Sequence, residues 1–210
     1  MAVFNAQGAS VGSSEFVRAR IGHCTASRVK DVLCIGGPAK REKYLHDLVA
    51  ERLIDAATDH YVSADMEWGL MTEPEAKHEY AKRTGLKLQD TEFTLHPTIE
   101  FFGSTPDSLV DPNGLAEIKC PRTSTLVGWK CAGVVPAEHK PQMISQLLCT
   151  SREWCDFVAY DPRIRNVDAR IFVRRFVPTD KEMLAVETAV KEFLAEVSAM
   201  FDQMTMLEAA

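Results

Sequence analysis

The chain has 210 residues, 46% of them hydrophobic and 26% charged, values that suit a single folded domain with a sizeable core. Its 24 Lys and Arg against 30 Asp and Glu leave a net charge of −6, which excludes a uniformly basic surface of the kind that coats nucleic acid. Any DNA contact must therefore come from grouped basic residues, or from metal cations that offset acids. No apolar run approaches a membrane span, and "MAVFNAQGASVGSS" lacks the basic start and apolar core of a secretion signal. The six cysteines form no CxxC pair, so they read as buried or incidental thiols in a reducing cytosol.

Residues 1–14, small and polar, read as a flexible tail, and 15–210 as one domain. "TASRVKDVL" from Thr25 is a short helix with Thr25 as its N-cap, broken by "GGP" at 36–38. Tyr44, Leu45, Leu48, Val49 and Leu53 recur at helical spacing between about Ala39 and Ala57. A second helix, "ADMEWGLMTEPEAKHEYAKRTG", ends at Gly85, with Pro74 implying a kink or a restart. The period then changes: "EFTLH", "IEFFGS", "DSLV" and "LAEIK" are strands, the last two joined by a "DPNG" turn. A helix follows over about Pro141 to Thr150, then strands "CDFVAY" and "ARIFVRRF". The final helix opens on a capping box, Thr179 and Glu182. Along it Met183, Val186, Val190, Phe193, Val197, Phe201 and Met204 make one apolar stripe, as for packing on a sheet or a neighbouring subunit. This order predicts an α/β domain around a mixed sheet, with a long C-terminal helix.

"STPDSLVDPNGLAEIKC" folds three ionisable groups into one hairpin. Glu117 and Lys119, two apart on a strand, share a face, and the turn brings Asp107 back towards Glu117. Two readings fit. One is a surface hairpin with a cross-strand ion pair. The other is a site in which a hard divalent cation, Mg²⁺ above all, relieves the repulsion between two carboxylates while the lysine works on water or a phosphoryl oxygen. The apolar neighbours Leu109, Val110, Leu115 and Ile118 favour the second, because buried charges require partners.

"TPDSLV…GLAEIKCPRTS" resembles the core motif of the PD-(D/E)xK nucleases, and more narrowly that of the lambda exonuclease, or YqaJ-type viral recombinase, family. "RIGHCTAS", "MEWGLMTEPEA", "PQMISQLLCT" and "WCDFVAYDPR" extend the likeness from about Glu15 to Arg163. The resemblance implies a restriction-endonuclease-like core with a mixed central sheet flanked by helices. It implies an Mg²⁺-dependent exonuclease with two ions, for which Mn²⁺ could substitute. Such an enzyme digests one strand of duplex DNA from a phosphorylated 5′ end, releasing 5′-mononucleotides and leaving a 3′ single strand for recombination by annealing. Structure-specific endonuclease and non-catalytic DNA-end-binding module are the competing readings.

Carried over by position, Asp107, Glu117, the Ile118 carbonyl and Glu73 are the metal ligands. Lys119 acts on the attacking water, and Gln142 stands near the nucleophile. Gln146, four residues on, either lines the site, where it could meet DNA, or faces solvent. Arg20, Ser27 and Thr105 are the implied 5′-phosphate-binding set. Where the family has an arginine this chain has Thr125, and Arg122 is the nearest substitute for that DNA contact; His139 replaces an expected aromatic. Basic residues at 163, 165, 170, 174, 175, 40, 41 and 43 are either a DNA track or solvated edges. The family also implies a homotrimeric ring around DNA, a single-strand annealing protein as partner, no membrane, and the cytoplasm of a bacterial host carrying a phage or prophage.

Overall fold

A computed structural model describes residues 14–58 and 63–207. The tail expected over 1–14 lies almost wholly outside them. Helix α1 (Ser14–Arg20) leads through strand β1 (Cys24–Thr25) into a 3-10 turn at Ala26–Arg28 and the short α2 (Val29–Val32). The expected "TASRVKDVL" helix is thus split. Thr25 does stand at the N-cap in extended conformation, but its side chain makes no capping hydrogen bond.

Helix α3 (Pro38–Ile54) starts where Pro38 occupies the first turn and stops at Asp55 in the left-handed region. Helix α4 (Ala64–Thr84) is capped by Ser63 Oγ, which accepts from Met66 N at 3.3 Å. It ends at Gly85, whose φ of 71° lets its N–H return to Ala81 O at 2.8 Å. Pro74 neither stops nor restarts this helix, which runs unbroken through it.

Strands β2 (Leu88–Gln89), β3 (Thr94–Leu95), β4 (Phe102–Ser104), β5 (Ser108–Val110) and β6 (Gly114–Lys119) follow. After them come α5 (Thr123–Ala132), α6 (Lys140–Thr150), β7 (Trp154–Tyr160), β8 (Ile171–Phe176) and α7 (Asp180–Leu207). Five strands form a sheet in the order β2-β5-β6-β7-β8, and a smaller sheet has the order β1-β4-β3. Only β6 with β7 runs parallel in the larger sheet, their connection carrying α5 and α6; the other pairs are antiparallel. The expected mixed sheet flanked by helices, with a long C-terminal helix, is what the chain forms.

Two cores sandwich the larger sheet. On one face Leu115, Cys155 and Phe157 share a core with Met143 and Leu147 of α6, and Val190, Phe193 and Val197 of α7 extend that core by packing on α3 and α6. On the other, Ala116, Ile118, Val158 and Tyr160 meet Ala76 and Tyr80 of α4. The capping box of α7 forms in both directions, Thr179 N to Glu182 Oε2 at 2.9 Å and Glu182 N to Thr179 Oγ1 at 3.2 Å. The apolar stripe joins the core as far as Phe201, α7 packing mainly on α3 and α6; Met204 is 46% exposed.

Candidate active site

The hairpin β5–β6 builds the site. Its ladder ends at the pair Ser108–Ala116, so the Ile118 N–H, two residues further along, has no partner on β5. Asp107, just before β5, supplies one: its Oδ2 accepts from Ile118 N at 2.5 Å. In an extended residue the N–H and C=O project to the same strand edge, so the Ile118 carbonyl opens towards the same gap. Alternation along β6 turns Glu117 and Lys119 the other way from Ile118, to the face covered by α6.

Glu117 is 0% exposed and held from two sides. Gln146 Nε2 donates to its Oε2 at 2.5 Å, and Lys119 Nζ closes on its Oε1. That contact is an ion pair outside good hydrogen-bond geometry, so the Lys119 ammonium is what meets Oε1. Burial would pull the Lys119 ammonium down, but Glu117 and Asp107 outweigh it and hold it up. Burial, then Glu117 and Glu73, push the Asp107 carboxyl well above the usual range, against the opposing pull of Lys119 and the Ile118 N–H. The Cys120 thiol beside them is pushed up to about 12 by burial, then by Glu73 and Asp107.

Glu73 comes from α4, across the sheet edge. Its charge reaches Asp107, Lys119 and Cys120, but its carboxylate is turned along its own helix, 2.9 Å from Lys77 Nζ. Among the described residues no three acidic, His or Cys side chains already form a closed cation cage. The donor chemistry nevertheless fits a cation. Asp107 and Glu117 face a single ammonium, and burial, then the acidic neighbours Glu117 and Glu73, raise Asp107. All these donors are oxygens, as a hard divalent ion requires.

On α6, Gln142 is half-buried and, among the described residues, makes no hydrogen bond to Asp107 or Glu117. Gln146 does: its side chain is 0% exposed and tied to Glu117, so of its two alternatives it takes the one that lines the site rather than the one that faces solvent. The cause is the pitch of α6, which places Gln146 with Met143 and Leu147 against the sheet. His139 takes over the aromatic role of its position, stacked on Phe157 (centroids 5.2 Å apart, 29° between planes) and edge-on to Trp129.

A cavity of about 400 Å³ lies beside α1 and α3, lined in part by Phe16, Arg20, His23, Ser27, Arg28 and Tyr44. Neither Asp107 nor Glu117 lines it. The Arg20 guanidinium lies 5.1 Å from the centre of the buried Phe16 ring; burial lowers its pKa, with Tyr44 and Glu51 opposing. Ser27 Oγ is 3.4 Å from Thr25 Oγ1. Thr105 is absent from this lining; it sits two residues before Asp107 with its Oγ1 buried and unpartnered among the described residues. The cavity also holds residues that the sequence did not single out. His23 and Arg28 line it, and Arg28 is fixed by Asp31 at 2.6 Å and by the Tyr44 ring 4.1 Å away.

Most of the basic residues considered for a DNA track are engaged internally. Arg41 makes two bonds to Glu196, Lys43 pairs with Asp47, Arg163 with Asp161, and Arg175 with Asp156. Arg170 and Arg174 donate to the carbonyls of Ile164 and Gly133. Arg122 pairs with Asp65 at 3.1 Å, but both side chains are well exposed, so the pair is weak and Arg122 is easily released.

The model of the YqaJ-like viral recombinase domain matches residues 15–153. The chain belongs to this family. Among solved structures, the YqaJ-like chain is similar to the alkaline exonuclease LHK-Exo from Laribacter hongkongensis. Identity is 38%, covering 94% of this chain and 98% of that one, with a TM-score of 0.88. LHK-Exo in complex with dAMP matches at 37% identity over the same shares, with a TM-score of 0.88. A phage-related exonuclease from Haemophilus somnus 129PT shares the fold, with a TM-score of 0.64 at 13% identity, covering 90% and 96% of the two chains. A comparison with curated proteins found no match. Among the described residues no helix is long and apolar enough to cross a membrane.

Proposed function

We propose that this YqaJ-family chain is a metal-dependent exonuclease that digests one strand of duplex DNA from a phosphorylated 5′ end. It releases 5′-mononucleotides and leaves a 3′ single strand for recombination by annealing. The observation that carries the reading is the convergence of half-buried Asp107 and Lys119 on the fully buried Glu117 at the end of one hairpin. This occurs in a chain that matches an alkaline exonuclease at 38% identity over 94% of its length.

Asp107, Glu117, the Ile118 carbonyl and Glu73 would hold the cation, two ions of Mg²⁺ or Mn²⁺ by family likeness. When bound, it supplies Lewis-acid neutralisation of the phosphodiester and a more acidic water. Lys119, protonated beside two carboxylates, orients the attacking water by donating to it and stabilises charge on the phosphoryl oxygen. Gln142, in the first turn of α6, flanks that water. Arg20 and Ser27 grip the terminal phosphate, since a partly desolvated guanidinium gains most from a bidentate anion. Thr105 contributes its unpartnered hydroxyl from the side of Asp107. Arg122, released from Asp65, contacts the DNA backbone.

A homotrimeric ring would gather the remaining basic residues around the duplex, and a single-strand annealing protein would receive the 3′ strand, inside a bacterial host. The deciding experiment is time-resolved digestion of a linear duplex labelled separately at each 5′ and 3′ end, with Mg²⁺ and with EDTA. Loss of 5′ label first, as mononucleotide and only with Mg²⁺, is the expected result. Cutting of a closed circular duplex would favour an endonuclease instead, and no cutting of either substrate a binding module.

A further inference from the structure

We infer that Gln146 is a positioning residue for Glu117. Its amide N–H holds one carboxylate oxygen so that the other faces the cation the site takes up. The inference rests on the nuclease reading above.

Both side chains are 0% exposed, and Gln146 Nε2 donates to Glu117 Oε2 at 2.5 Å. A carboxylate only accepts, so the amide must present its nitrogen. That orientation leaves Gln146 Oε1 buried without a partner among the described residues. An unsatisfied buried acceptor is costly, and a purely packing role at this point of α6 would be better served by Leu or Met. What Gln146 provides, and an apolar residue cannot, is a hydrogen bond to Glu117. A Lys or Arg there would also donate, but it would neutralise the carboxylate and compete with a divalent ion. Glutamine satisfies one oxygen and leaves the negative charge standing. With Oε2 turned into α6, Oε1 is left on the side of Lys119, whose side chain is 29% exposed. That is the side from which an ion arrives. Groups that hydrogen-bond a metal ligand in this way fix its rotamer and typically change ion affinity about 10–100-fold when removed.

The test uses Mn²⁺ alone, followed by loss of its free-ion EPR signal, with Mg²⁺ measured by competition and no DNA present. Gln146→Met keeps the volume and deletes the donor; it should weaken Mn²⁺ uptake by about 10-fold or more. Ile144→Val, a packing deletion elsewhere on α6, should lower the unfolding temperature in EDTA but leave uptake at the wild-type level. If Gln146→Met does not fold, Gln146→Asn, too short to reach Glu117, is read by the same titration with the same expectation. Wild-type affinity in either folded Gln146 variant overturns the inference, as does failure of both variants to fold, which would assign Gln146 to the core alone. A wild-type protein that takes up no ion defeats the nuclease reading as well. Uptake by wild type with unchanged uptake in the variants defeats this inference only.

Discussion

Replacing Lys119 with Met tests the charge balance at the centre of the site. In the ion-free protein Lys119 is the cation that meets Glu117, whose carboxylate is 0% exposed. Methionine replaces most of the lysine stem, so the loss is mainly of charge. Breaking a buried pair from one side costs about 3–5 kcal/mol, because the remaining charge is stranded. The low end applies, since the Lys119 side chain is 29% exposed and Gln146 still satisfies one Glu117 oxygen. About 3 kcal/mol lowers Tm by about 6–12 °C for a chain of this length.

An ion held by the same carboxylates stabilises by RT ln(1 + [L]/Kd), about 1.4 kcal/mol at ten times Kd. Mg²⁺ should therefore restore about half of the loss in Lys119→Met, and more than it adds to wild type, where the ion must first displace the ammonium. Strand cleavage should remain abolished throughout. The assay is thermal unfolding by circular dichroism in EDTA and in Mg²⁺, beside digestion of a linear duplex. Glu117→Gln should also lower the melting temperature in EDTA, but by less than Lys119→Met, because the lost ion pair is partly offset by relief of the repulsion on Asp107, which remains as a partner of the ammonium. A Lys119→Met protein that melts like wild type in EDTA, or that still cuts DNA, would refute the reasoning.

Arg20→Gln should slow digestion from 5′-phosphorylated ends by about 10–100-fold, the worth of a charge-assisted phosphate contact, while hardly changing 5′-hydroxyl ends. Equal losses on both ends would remove Arg20 from the terminal-phosphate site. His139→Phe should flatten the acid side of the stability profile. Burial, then Lys119 and Lys30, lower the His139 pKa to about 4, below the value of about 6.5 in an unfolded chain. The wild-type contribution is thus fully present above the unfolded pKa and is lost as pH falls from about 6.5 towards 4, by up to about 3 kcal/mol. Unfolding in urea across that range, in EDTA, should show the two proteins diverging; parallel curves would contradict the assignment. Tyr80→Phe deletes a 2.7 Å hydrogen bond to the buried Asp156, on the sheet face opposite Glu117. It should cost about 2 kcal/mol and leave the cleavage rate unchanged; a large loss of activity at full folding would show that the two faces are coupled.

The sequence pattern revealed what depends on local periods. The spacing of Glu117 and Lys119, the return of Asp107 through a tight turn and the Thr179–Glu182 box all follow from two- or four-residue geometry, and all are present. Helix α5 escaped because "TSTLVGWKCA" buries only Leu126 and so writes no stripe, while its β-branched residues and Gly128 weaken helix propensity. The parallel pairing of β6 with β7 joins residues about 40 positions apart, which no local pattern encodes. The same distance hides the engagement of Arg41, whose partner Glu196 is 155 residues away. Gln146 is the instructive case. Glutamine usually marks a solvent face, yet Met143 and Leu147, three before and one after, had already marked its side of α6 as apolar. A polar residue inside an apolar stripe must meet another polar group across the interface, and the β6 face it meets carries Glu117. The stripe and the acid were both visible in the sequence; only the packing of α6 on the sheet joins them.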